Sequence, residues 1–253
     1  MTEERKQFKS SPKRYHPQGL TIIYEDYDIL VVDKVSGLLT MGNDKVKENT
    51  AYYLLNNYVR KGNPKSRKRV FIVHRLDKDT SGVIVFAKNE KVKLYLQDEW
   101  AGFKKIYYAV VEGSLREKEG VISSYLAEND LHKMYSVNDP GKGKLAKTGY
   151  KVLRESKQYS LLEIELLTGR KNQIRVHMAD KGCQVVGDKK YGKREKGIKR
   201  LALHAASLSI VHPYSKEMMT FKARIPAYFN FLLRTKGEGQ REEGRREERD
   251  SIY

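Results

Sequence analysis

The chain has 253 residues, 39% apolar and 32% charged, enough for one large domain or two small ones with a sizeable core and a wet surface. Lys and Arg number 50 against 32 Asp and Glu, a formal charge of +18, which makes a polyanion the leading partner class: RNA, DNA or an anionic membrane. The lone cysteine, Cys183, excludes an internal disulfide and a cysteine-based metal site and points to a reducing, cytoplasmic setting. No stretch approaches the roughly 20 apolar residues of a membrane span, and Met1 to Gln18 holds no apolar segment of the kind a signal peptide needs.

Residues 1–19 are polar and basic and are expected to be loosely ordered. Leu20 to Tyr24 and Ile29 to Asp33 read as two strands joined by the hairpin loop Glu25-Asp26-Tyr27-Asp28. Thr50 to Val59 reads as a short helix with Tyr52, Leu54, Leu55 and Tyr58 on its apolar side. Arg60 to Arg69 is a basic loop, suited either to phosphate contact or simply to solvent. Val70 to Val73 and Val83 to Ala87 are short β-branched and aromatic runs, hence buried strands, and Asp77-Lys78-Asp79-Thr80-Ser81-Gly82 between them is turn chemistry. Glu90 to Trp100 reads as a helix packing through Val92, Leu94, Tyr95 and Leu96. Strands are expected at Lys105 to Gly113, Gly120 to Leu126, Lys133 to Val137, Ala146 to Arg154 and Tyr159 to Leu167. Lys171 to Lys181 reads as a helix with Ile174, His177 and Met178 on one side and Gly182 as its left-handed cap. Strands at Leu201 to Ala206, Leu208 to Val211 and Met219 to Ala223 and a helix at Ala227 to Leu233 close a unit of residues 20–235. Residues 236–253 form a charged stretch expected to be disordered.

Several chemistries lack their signature. There is no phosphate-cradling Gly-Lys-Ser/Thr loop, no dinucleotide fingerprint and no Gly-x-Ser-x-Gly elbow. The six histidines show no paired metal-ligand spacing. Asp77 stands where a turn leaves a sheet, a place suited to a reactive side chain, although an aspartate there also caps its own backbone. Asp77 and Asp79 lie too close in one loop to flank a bond as a glycosidase pair. Arg175 offers a countercharge from a distant part of the chain, and Tyr107 a flat ring with a phenol.

His74-Arg75-Leu76-Asp77 with Thr80-Ser81-Gly82, and Gly169-Arg170-Lys171-Asn172-Gln173-Ile174-Arg175-Val176-His177 followed by Val186-Gly187-Asp188 and Tyr191-Gly192, resemble the signatures of the RluA-type pseudouridine synthases. Lys105-Ile106-Tyr107-Tyr108-Ala109 resembles their tyrosine-bearing strand, and the likeness extends from about Leu20 to Leu233. It implies an α+β domain around a mixed, largely antiparallel sheet. The cleft would be lined by residues 73–82, 105–111 and 169–177. It implies isomerisation of specific uridines in structured ribosomal or transfer RNA, with base flipping. Asp77 would break the N-glycosidic bond, either by attack on the ribose carbon or by removing a proton to give a glycal. Tyr107 would stack on the base and Arg175 would pair with Asp77. His74, Arg75, Arg170, Gln173 and Ile174 would contact substrate or RNA. No metal, cofactor or protein partner is implied, the oligomeric state is open with monomer as the default, and the short segment before the first strand leaves no room there for the S4 domain of many relatives. The sequence departs from the family at Asn172, where His is usual, and at Val35, where Pro is usual. A non-catalytic RNA-binding factor on the same fold, and a glycosylase releasing free base, are the competing expectations.

Overall fold

The computed structural model describes residues 8–42, 46–193 and 197–234. The charged stretch from 236 lies outside them. The first described residues run over the first helix. A 3-10 turn at Lys13–Tyr15 follows Ser11, whose hydroxyl donates to the Tyr58 carbonyl at 3.1 Å.

Eleven described strands form one mixed sheet: β1 (Leu20–Glu25), β2 (Ile29–Lys34), β3 (Phe71–Ile72), β4 (Ser81–Ala87), β5 (Lys104–Glu112), β6 (Glu119–Glu128), β7 (Met134–Val137), β8 (Lys144–Glu155), β9 (Tyr159–Leu166), β10 (Leu203–Val211) and β11 (Met218–Lys222). The order is β1-β2-β4-β10-β5-β9-β8-β6-β7, with β3 beside β4 and β11 beside β10. Pairing is antiparallel except at β4–β10, where Ser81 lies against His204 and Gly82 against Ala205. Helices α1 (Ala51–Arg60), α2 (Glu90–Asp98), α3 (Gln173–Asp180) and α4 (Ala227–Leu233), with a second 3-10 turn at Glu99–Gly102, complete the described elements. None is long and apolar enough to cross a membrane.

The strands form where the sequence alternates or runs apolar. In β9 Leu162 and Ile164 point into the core while Glu163 and Glu165 are partly exposed. In β4 all seven residues are buried, because helix and sheet cover both faces. Helices α1 and α2 start at side-chain caps: Thr50 accepts from the Tyr53 N–H and Asn89 from the Val92 N–H. Gly182, at φ +74°, ends α3 as expected; its N–H bonds the Ala179 carbonyl and that of Cys183 bonds the Met178 carbonyl, a Schellman closure.

Three elements differ from the reading of the sequence. The 70–73 run contributes only a two-residue strand, because the chain then leaves the ladder to form the 73–80 segment. The two expected strands at 201–206 and 208–211 are one, β10, in which a register shift between Ala205 and Ser207 absorbs the extra residue. Leu94 is 51% exposed: Val92 and Leu96, four apart, define the packed face of α2, and Leu94 falls on its other side.

Candidate active site

The strand β4 begins with a constrained backbone. Gly82 sits at φ +116°, and a Cβ there would stand 2.2 Å from the Ala205 carbonyl oxygen. Only glycine lets β4 and β10 approach in parallel at this point. The preceding turn, 76–79, is held from below by the segment after β2. Thr40 exchanges hydrogen bonds with both the N–H and the C=O of Leu76, at 3.2 and 2.8 Å. The Gly37 N–H and the Lys34 ammonium both donate to the Lys78 carbonyl, and the Ser36 hydroxyl donates to that of Asp79. Lys34 is fully buried and also donates to the Val35 and Leu38 carbonyls. Burial pushes this ammonium down to about 8, against the pull of Asp79, Asp77 and Asp33.

Asp77 projects from the clamped turn, one-third exposed, at the edge of a cleft of about 360 Å³. Its Oδ2 accepts from the Asn172 amide at 2.6 Å and from Arg175 Nη1 at 3.1 Å. No described residue donates to Oδ1. Behind Arg175 lies the buried Asp188, which takes Nε and Nη2 in two parallel bonds of 2.7 Å. Asp188 Oδ1 also accepts the Lys190 and Tyr191 N–H groups. Burial alone would raise this carboxyl, but the Arg175 bonds and charge hold it below the usual range. Burial likewise works against the Arg175 charge, and Asp188 and then Asp77 more than offset it, so the guanidinium is held charged. The Tyr191 hydroxyl donates to Asn172 Oδ1 at 3.2 Å and accepts from the Met134 N–H, and its ring lies 5.2 Å from the guanidinium carbon. The result is a continuous chain, Asp188–Arg175–Asp77–Asn172–Tyr191. Asn172 stands at the start of α3 in the left-handed region, φ +53°, which asparagine tolerates. That turn aims its amide at Asp77.

All eight residues singled out from the sequence line this cleft. They do not present themselves alike. Asp77, Tyr107 and Arg175 converge, and Ile174 supplies an apolar wall in one cluster with Ala109, Ile164 and Leu203. Tyr107 packs between the two main core clusters, and its hydroxyl has no hydrogen-bond partner among the described residues. Burial and then the Asp77 charge raise its phenol above the ordinary value, keeping it protonated. Arg75 is exposed on the rim, and Arg170 also, with its Nε on the Leu145 carbonyl. Gln173 and His74 are spent internally. The Gln173 amide is buried, accepting from Thr168 and the Arg170 N–H and donating to the Lys147 carbonyl and Thr148. The His74 ring accepts the Val85 N–H at 3.2 Å and stacks on Trp100 at 4.2 Å. Burial, aided by Lys105, pushes it down to about 3, so it is neutral.

The sequence reading assigned no role to Asp188, Tyr191 or Lys34, and it marked Asn172 only as a departure from the family pattern. The Val186-Gly187-Asp188 motif carried the signal for Asp188, a carboxylate in an apolar turn. Nothing in the spacing announced the Asn172 contact. Among the described residues one potential metal group exists, Asp26, Asp28 and His212, with ligand atoms within 4.8 Å. Asp26 is engaged there by the Asp28 and Ile29 N–H groups, Tyr24 and His212, so it ties the β1–β2 hairpin to the β10–β11 turn.

Residues 28–180 match the RNA pseudouridylate synthase family. The chain is similar to an uncharacterized RNA pseudouridine synthase of Bacillus subtilis, YhcT, with 38% identity over 85% of this chain and 72% of the relative. It is 34% identical to ribosomal large subunit pseudouridine synthase D of Zymomonas mobilis, over 88% of this chain and 75% of that one. It is 33% identical to ribosomal large subunit pseudouridine synthase C of Vibrio parahaemolyticus, over 84% and 68%. The fold is similar to that of human RNA pseudouridylate synthase domain containing 1, with a TM-score of 0.65, 27% identity and coverage of 85% and 86%. Domain containing 4 superposes with a TM-score of 0.69 at 24% identity, covering 83% and 90%.

Proposed function

We propose a substrate and a chemistry for a chain that belongs to the RNA pseudouridylate synthase family, in its RluA-type branch, and is an RNA pseudouridine synthase. The substrate is one or a few uridines of large-subunit ribosomal RNA. Support comes from the two relatives named for that subunit. The enzyme acts as a cytoplasmic monomer.

A uridine in a stacked helix cannot offer its ribose carbon to Asp77, so it is flipped into the cleft. Its ring lies on Tyr107, with Ile174 as the apolar wall. Arg75 fills the space left in the RNA, and Arg170 holds phosphate. Asp77 attacks C1′ through Oδ1. The N1–C1′ bond breaks and its electron pair goes to the uracil ring. The ring turns, C5 bonds to C1′, and the carboxylate leaves. The proton lost from C5 is balanced by one gained at N1, so the product is an isomer of the reactant. Arg175 holds the carboxylate in place and compensates the charge of the uracil anion. Gln173 and His74 act through the backbone they hold.

The observation that carries this reading is a carboxylate lining the cleft, with one oxygen tied by Asn172 and Arg175 and the other without a donor among the described residues. The test is a pseudouridine map of total RNA, by carbodiimide-stop sequencing, from cells lacking the protein and cells carrying only Asp77→Ala. The same ribosomal site should vanish in both. A site lost on deletion but restored by Asp77→Ala would remove Asp77 from the chemistry, and a lost site in transfer RNA would correct the substrate.

A further inference from the structure

Two stretches far apart in sequence are basic and free of acid. Phe8 to Gln18 carries Lys9, Lys13 and Arg14, and Arg60 to Arg69 carries six cations in ten residues. The fold brings them together. Ser11 donates to the Tyr58 carbonyl, His16 meets the Tyr58 ring edge-on at 5.4 Å, and Tyr15 lies so close to Gly62 that a Cβ there would stand 3.0 Å from its ring. Apart from Arg60, which is half-buried, the nine cations are exposed, and none pairs with an acid among the described residues. The nearby Glu25 is engaged by Tyr58 at 2.6 Å and Lys88 at 2.9 Å. Two guanidinium groups already lie over rings, Arg14 over Tyr15 at 4.9 Å and Arg69 over Phe71 at 4.6 Å.

This surface is separate from the cleft. Phe71 pairs with Ala87, the far end of β4, while the Asp77 turn enters at Ser81. Six steps of strand put them about 20 Å apart. That is about six base-pair steps of a duplex. The stretches expose no large apolar side chain, as a lipid-seeking surface would.

We propose that the Phe8–Gln18 and Arg60–Arg69 surface is a second RNA-docking site, which grips the phosphate backbone of a helix flanking the target uridine. The inference rests on the RNA reading of the cleft and deepens it. The site is blind to sequence and adds affinity and register, not chemistry.

The test is a five-cation variant, Lys13→Gln, Arg14→Gln, Lys65→Gln, Arg67→Gln and Lys68→Gln. Its control is an equal charge loss elsewhere: Lys91→Gln, Lys157→Gln, Lys181→Gln, Lys222→Gln and Arg224→Gln. Binding of an RNA hairpin of about 20 base pairs is measured by fluorescence anisotropy across a salt series. The docking variant should bind at least about tenfold more weakly near 0.1 M salt, with a log–log salt slope shallower by about 3 to 4. The control should stay close to wild type. Equal losses in both variants would reduce the effect to net charge, and an unchanged slope in the docking variant would overturn the site. Tighter binding of the surface to phosphatidylserine vesicles than to the hairpin would reassign it to lipid. These readouts need no turnover, so a failure of the Asp77 chemistry in the mapping experiment is seen separately.

Discussion

The two oxygens of Asp77 live in different environments. Oδ2 takes two donors and Oδ1 none from the described residues, so the carboxylate is oriented without being blocked. Asn172 does this without a charge of its own. Asn172→Gly keeps the left-handed backbone and removes only the amide. A hydrogen bond to a charged group is worth about 1.5–3 kcal/mol. The single-turnover rate of pseudouridine formation should therefore fall roughly ten- to hundredfold. Unchanged turnover would mean that Arg175 alone fixes the carboxylate. Arg175→Lys should cost more, at least about a hundredfold, because a lysine cannot bridge Asp188 in two bonds and still reach Asp77. The measurement is the same rate assay, with circular dichroism to confirm the fold. Asp77 and Arg175 were legible because each lies in a motif with distinctive neighbours. The Asn172 contact was not: it depends on a positive φ at that residue, and no residue pattern announces that.

At the scale of elements, the Asp77 turn is carried by a clamp and not by its own chemistry. Residues 34–40 lie under residues 76–79 and bond their backbone at Leu76, Lys78 and Asp79. Lys34→Met fills the same space but leaves three carbonyls without their shared donor. The expected outcome is faster hydrogen exchange in residues 76–80 and a loss of turnover with RNA affinity little changed. Exchange confined to wild-type rates would refute the clamp. The parallel junction is less forgiving. Gly82→Ala drives a methyl into the Ala205 backbone and should cost more than about 4 kcal/mol, seen as loss of soluble folded protein or a collapsed urea midpoint. Most strands and helices were readable from apolar period and cap residues, to within a few residues at their ends. The strand order was not. It sets β10, late in the chain, between β4 and β5, and only that insertion carries α3 and Asp188 to the Asp77 turn. Such pairing rests on long-range complementarity, to which local periodicity is silent.

For the whole molecule, acid is the sensitive direction. His204 is buried with Nδ1 on the Ser81 hydroxyl at 2.9 Å, at the parallel junction itself. Burial pushes it down to about 4, and His74, whose ring accepts the Val85 N–H, down to about 3. The unfolded chain takes up a proton at each ring near pH 6.5, whereas the folded chain resists until about 4 and 3. Between those values the unfolded state holds more protons, so stability falls as pH falls. At pH 5 each ring should have cost about 2 kcal/mol relative to neutral pH. The paired Asp188 adds to the same trend at still lower pH, since its carboxyl is held below the usual range in the fold. Urea unfolding at pH 7 and pH 5 should show a clear drop in midpoint with an unchanged denaturant slope. His204→Gln should lower the midpoint at pH 7 and reduce the drop between the two values, because one of the two acid-sensitive rings is gone. An equal drop in wild type and variant would show that His204 takes up its proton at the same pH in the folded and unfolded chain, which its buried site beside Ser81 and Phe229 argues against.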